Sequence, residues 1–143
     1  MAKLTEAELI ILLKEVGLRV TDHRLLILSI INKSREPLTV YDLTEKVRRK
    51  DDVDQATIYR NVVSLEEEGL ICKFSFNHGH SYYEFSTKKK FCRLVCSNCE
   101  AFEKIDGVPL DDVTKKLLKK SKKFKQNSAD YFELYGLCRK CKN

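Results

Sequence analysis

The sequence contains no apolar run approaching the ~20 residues that a helix needs to cross a bilayer, so no membrane partner is expected. Its N-terminus, MAKLTEAELIILLKE, mixes acids into the apolar stretch, unlike a secretory signal. No phosphate loop is built from its five glycines, and no nucleophile–base pair with a recognisable spacing can be placed. An enzyme is therefore not expected. Without a spanning run or a secretory signal, the chain is expected in the cytoplasm, where thiols stay reduced. For its six cysteines, that favours metal binding over disulfides.

What is present points to a folded protein. At 143 residues and 43% hydrophobic composition, the chain is long enough for one or two small domains with real cores. The net charge of +6 is unevenly spread. Residues 1–87 carry 12 Lys/Arg against 14 Asp/Glu, whereas residues 88–143 carry 15 against 7. A polyanion partner fits the total, and a solvated cationic helix face fits the local excess equally well.

The first half reads as four helices and a hairpin. Thr5 and Glu8 form a capping box, Leu4 staples to Leu9, and Gly17 closes the first helix. Thr21 or Asp22 opens a second helix, apolar nearly all round, and Pro37 ends the loop after it. Thr39 with Asp42 opens a third helix. Asp54 caps a fourth, which Gly69 closes. On the fourth, Ile58, Val62 and Leu65 form a core stripe, while Gln55, Tyr59 and Val63 lie on another face beside Arg60. LICKFSF and SYYEFS then flank a glycine-containing turn, the pattern of a hairpin. The sum is a winged helix-turn-helix over residues 1–87, with the last helix placed for the major groove.

Residues 88–143 read strand, strand, helix, strand: FCRLVC, AFEKID, LDDVTKKLLKK and DYFELYG. The helix is amphipathic on Leu110, Val113, Leu117 and Leu118. So small a sheet leaves an edge to be paired, which a homodimer would supply. The overall class is α+β.

Cys96-x-x-Cys99 and Cys138-x-x-Cys141 have the bite of two zinc knuckles. Four thiolates close a tetrahedral shell and leave no position for water, so one structural zinc per chain is expected, acting as a staple.

Taken together, GLRVTDHR (17–24), QATIYRNV (55–62), EEEGLI (66–71), YYEF (82–85), LVCSNC (94–99) and ELYGLCRKC (133–141) resemble the ferric uptake regulator family of metal-dependent repressors. The resemblance implies a homodimer with an N-terminal winged helix and a C-terminal α/β dimerisation domain, bound to AT-rich double-stranded operator DNA. It assigns Tyr59 and Arg60 to the major groove and Arg19 to the adjacent minor groove, with Gln55 and Thr57 as backbone contacts.

The family's sensor does not carry over. Where it has a histidine-rich segment that binds regulatory iron, manganese or zinc, this chain has Lys89, Lys90, Phe91, Cys92 and Arg93. Two further family histidines fall near Pro37 and at Asp130, while Glu84 and Asp111 keep acidic ligand positions. The implied protein is a zinc-stapled regulator whose iron or manganese sensing is altered or lost, with fixed cations where a metal once supplied charge. Two alternatives stand beside it. One is a metal- or redox-responsive site rebuilt from Cys72, His78, His80 and Cys92, with Cys92 activated by Lys90 and Arg93. The other is a protein-binding winged helix without DNA contact.

Overall fold

A computed structural model describes residues 3–75, 79–86, 91–125 and 131–142. The chain divides into two compact units, Met1–Ser86 and Thr87–Asn143.

The first unit runs α1 (Glu6–Glu15), α2 (Asp22–Lys33), β1 (Leu38–Thr39), α3 (Val40–Arg48), α4 (Gln55–Glu67), β2 (Ile71–Ser75) and β3 (Ser81–Phe85). Its helix ends follow local chemistry. Thr5 and Glu8 form a reciprocal capping box on α1, and Thr39 and Asp42 form another on α3. Thr21, rather than Asp22, caps α2 by accepting from the Arg24 amide. Gly17 and Gly69 end α1 and α4 at φ of +77° and +70°. In both, the next amide reaches back five residues, Leu18 to Leu13 and Leu70 to Leu65, which satisfies carbonyls at the helix ends. The core joins Leu9 and Leu13 of α1, Ile27, Leu28 and Ile31 of α2, Leu43 and Val47 of α3, and the α4 stripe.

The hairpin gains a third strand that the sequence pattern does not announce. Leu38 and Thr39 pair antiparallel with Tyr83 and Tyr82, giving the order β1-β3-β2. Two residues carry no alternation, so β1 is legible only from its partner. Four helices with this sheet make a winged helix-turn-helix.

The second unit contains β4 (Phe91–Cys96), β5 (Phe102–Asp106), α5 (Leu110–Lys120) and β6 (Tyr131–Gly136). The central strand is β4, antiparallel to β5 and parallel to β6. The apolar stripe of α5 is only partly covered: Leu110 is buried, Leu118 is half-buried, and Val113 and Leu117 are exposed. Among the described residues, no helix is long and apolar enough to cross a membrane.

Candidate nucleic-acid interface and metal centre

One face of α4 is locked in the core, because Ile58, Val62 and Leu65 are fully buried. The opposite face is left open. Gln55 and Arg60 are exposed, and Tyr59 keeps 52% of its surface accessible, unusual for an aromatic with no structural task. The start of this helix is tightly tied. Asp54 accepts from the Thr57 amide at 2.9 Å and from its hydroxyl at 2.5 Å. Those two bonds, the hydroxyl's first, hold the Asp54 carboxyl below its usual pKa. The Thr57 hydroxyl in turn accepts from Arg60 Nη2 at 3.1 Å, so Arg60 is oriented by the cap of its own helix.

Arg24 is a contributor that the sequence reading missed. Its Nη1 donates to the Arg19 carbonyl at 2.5 Å, and its Nη2 reaches Ser64 Oγ of α4 at 3.5 Å. One guanidinium therefore spans from the Arg19 loop to the exposed helix. Only the fold brings Ser64 to it, forty residues on in the chain, so no local signal announces the bracket. His23 pairs with Asp51 at 3.3 Å.

In the second unit, the sulfurs of Cys96, Cys99, Cys138 and Cys141 all lie within 4.8 Å of one another. Cys99 and Cys138 are 3.7 Å apart, close to the ~3.8 Å edge of a tetrahedron with zinc–sulfur bonds of about 2.3 Å. Parallel pairing explains the meeting. Cys96 ends β4 beside Gly136, which ends β6, so both knuckles leave the sheet at the same end. The Cys138 amide donates to Cys96 Sγ at 3.4 Å, and Asn98 Nδ2 donates to Cys141 Sγ at 3.3 Å. The Cys138 amide, then those of Cys99 and Asn98, lower the Cys96 pKa to about 6. At Cys99 the Ala101 amide acts the same way, but the thiols of Cys96, Cys141 and Cys138 together outweigh it, and its pKa is pushed up to about 11. Within the cluster the Cys96 thiolate is thus favoured, whereas the Cys99 thiol gives up its proton to solvent only as a cation takes its place. Among the described residues, Glu100 is the one non-glycine at positive φ, +60°, immediately after the first knuckle.

Just before that knuckle β4 carries the cation Arg93, and the neighbouring β5 adds Lys104. Arg93, 1% exposed on the central strand, pairs through Nη1 with Glu133 Oε1 at 3.1 Å. Glu133 also accepts from the Tyr135 hydroxyl at 2.9 Å. The Phe91 ring lies beneath Lys104 Nζ at 3.9 Å and has the Arg93 guanidinium carbon 5.2 Å from its centre. A guanidinium, an ammonium and a phenyl ring have no lone pair for a divalent ion, so these side chains do not fit a regulatory metal.

The other candidate sensor residues fall in both units. Cys72 faces Glu84 across β2 and β3, both half-buried, and His80 is exposed beyond the strand end. Cys92 is buried in the second unit, and Asp111 is exposed in the first turn of α5. His78, Lys88, Lys89, Lys90 and Asp130 lie outside the described residues. Among the described residues, only the four knuckle cysteines gather three or more ligand atoms closely enough for one ion.

Residues 15–132 match the ferric uptake regulator family. The ferric uptake regulation protein of Legionella pneumophila is 29% identical over 131 residues, covering 90% of this chain and 95% of the relative. The peroxide operon regulator of Bacillus subtilis is also 29% identical, over 90% of this chain and 88% of its own. Among solved structures, the ferric uptake regulator of Helicobacter pylori, described with three functional metal-binding sites, superposes with a TM-score of 0.79 at 20% identity, over 100% of this chain and 97% of that one. The ferric uptake regulator of Vibrio cholerae gives 0.69 at 26% identity, over 88% and 96%. A zinc uptake regulator in complex with zinc and DNA gives 0.65 at 21% identity, over 95% and 91%.

Proposed function

The chain belongs to the ferric uptake regulator family of transcriptional regulators, and on that premise we propose that it binds AT-rich operator DNA as a homodimer without needing ferrous iron or manganese. Each chain holds one structural zinc in Cys96, Cys99, Cys138 and Cys141. The 1–87 part is the DNA-binding domain and the 88–143 part the dimerisation domain. A second copy covers the exposed stripe of Val113 and Leu117. In the major groove, Tyr59 offers apolar contact to a thymine methyl, and Arg60 bonds phosphate or guanine. Gln55 and Thr57 contact the backbone, and Arg19 enters a narrow minor groove, where A·T-rich sequence attracts cations.

The observation that carries the metal-independent reading is the Arg93–Glu133 pair with Lys104 over Phe91. Charge is fixed there by side chains, and a like charge at close range opposes a divalent ion. An ion that hardly binds cannot shift a conformational equilibrium.

The test is a titration of zinc-loaded protein onto AT-rich duplexes at controlled salt, anaerobically, with and without micromolar Fe(II) or Mn(II). Binding is expected without either ion and unchanged by both. A gain of about tenfold on adding one would overturn the metal-independent reading. Tyr59→Ala is expected to cost about 1–3 kcal/mol on a cognate site, and Arg19→Ala to weaken AT-rich sites selectively. If both bind as the parent does, the winged helix is not a DNA reader.

A further inference from the structure

The cationic excess of the second half is concentrated in one place. Residues 115–125 contain seven lysines, at 115, 116, 119, 120, 122, 123 and 125, and no acid. All seven are exposed, and among the described residues none is held in an ion pair. Four of them belong to α5 and three to the segment that follows it.

Their placement on the helix is directional. At about 100° per residue, Leu110, Val113 and Leu117 fall within roughly 60° of one another. Lys115 and Lys119 lie on the opposite side, while Lys116 and Lys120 flank the stripe, Lys120 only about 20° from Val113; the members of each row are about 6 Å apart along the axis. A partner that covers the apolar stripe, a second copy included, therefore leaves the row of Lys115 and Lys119 open, with Lys116 and Lys120 along its rim. The exposed Phe124 sits among the trailing lysines and offers a ring to the same surface.

A solvated face needs no such segregation. Lysines on a merely solvated helix are commonly interspersed with acids at i and i+4, which support the helix through pairing. Here the acids, Asp111 and Asp112, are confined to the first turn, where they complement the helix dipole and leave the rest of the face uniformly positive. Four like charges on adjacent turns repel one another, a cost relieved by a polyanion. The chemistry fits evenly spaced phosphates rather than a single anion, because the exposed lysines form rows along the helix and ammonium groups act as point charges.

We propose that the lysine face of α5, with Lys122, Lys123 and Lys125, is a second DNA-binding surface that engages duplex backbone outside the stretch read by α4. This rests on the reading of the protein as an operator binder. It adds sequence-independent contacts that lengthen the bound duplex beyond the operator. Phosphate contacts of this kind release counterions, so their signature is the salt dependence of binding.

The test uses two duplexes, one no longer than the operator and one extended by several helical turns on each side. The full-length zinc-loaded protein is compared with K115Q/K116Q/K119Q/K120Q and, separately, with K122Q/K123Q/K125Q. The second variant leaves the helix untouched, so it decides the matter if the first misfolds. The parent is expected to bind the extended duplex tenfold or more tighter than the short one at low salt. Its log–log salt slope there should be steeper by about 3 per engaged chain. Both variants should lose part of that difference and match the parent on the short duplex. Equal parental affinities for the two duplexes, or variants that keep the full gain, would overturn the proposal. So would loss of an acidic-polypeptide interaction, tested with polyglutamate, without loss of the extended-duplex gain; that would assign the face to an acidic protein. Arg60→Ala separates the two readings. If α4 reads the operator, this variant loses short-duplex binding yet keeps the length-dependent, salt-sensitive gain. If it leaves short-duplex binding intact, the operator reading fails while the lysine face is judged by the duplex comparison alone.

Discussion

The guanidinium of Arg24 binds the backbone carbonyl of Arg19 at 2.5 Å. This contact joins two parts of the first unit, because the same side chain reaches Ser64 on α4. If Arg19 and α4 are to meet one duplex as proposed, the two must be held in register. Arg24→Met keeps much of the apolar stem but removes both donors. It is expected to lower stability by about 1–3 kcal/mol, the cost of a lost charged hydrogen bond, and to weaken operator binding further. Chemical denaturation and DNA titration on the same preparation separate the two effects. If affinity is unchanged at full folding, Arg24 does not hold Arg19 for DNA.

Cys96→Ser removes one of four ligands. It is expected to lose zinc and to unfold the second unit and the dimer with it, because metal binding supplies folding free energy. The helices of the first unit, whose core is its own, should persist. Elemental analysis, sedimentation and circular dichroism together check this outcome. A metal-free parent that remains fully folded would remove the staple from the account.

Arg93→Ala leaves the Glu133 carboxylate on a neighbouring strand without its cation. The expected loss is about 2–4 kcal/mol of stability, below the full range for a wholly buried pair because Glu133 is 18% exposed. Arg93→Lys should recover only part of it, since an ammonium lacks the planar fork. Thermal unfolding of the zinc-loaded protein reads both. If Arg93→Ala is as stable as the parent, the pair is not structural.

Glu100 occupies the left-handed region at φ +60°, where a Cβ is unfavourable. Glu100→Gly is expected to raise stability by about 1 kcal/mol and to slow zinc loss to a chelator, because the knuckle turn no longer opposes its geometry. Faster zinc loss would mean that the glutamate contributes more than the strain it introduces.

What was legible in the sequence is what neighbouring residues decide. Thr5 with Glu8, Thr39 with Asp42, and Asp54 are read as caps because their partners are three residues away. The knuckles are legible because CxxC spacing is itself the geometry. The exposed face of α4 follows from helical period alone, with Tyr59 lying off the Ile58–Val62–Leu65 stripe. What escaped depends on distant chain. Strand β1 exists only because Tyr82 and Tyr83 are beside it. The partners Ser64 of Arg24 and Glu133 of Arg93 are each forty residues on, fixed by packing and by strand register. Likewise, periodicity marks Val113 and Leu117 as apolar positions but does not say whether their own chain covers them; it leaves them exposed.

The parallel pairing of β4 with β6 has a kinetic consequence. Every paired position in it is forty residues from its partner, from Phe91 with Tyr131 to Cys96 with Gly136. The loop-closure entropy must be overcome before any of those contacts rewards it, whereas the helices of the first unit are built largely from near neighbours. The first unit is therefore expected to fold early and the second to lag, with its β-strand edges open in the interval. An ion captured by Cys96 and Cys99 alone is half-liganded until β6 docks. The supply of zinc thus sets how long the chain spends in its most aggregation-prone form, and metal scarcity would limit the amount of functional protein before it touched the stability of molecules already folded.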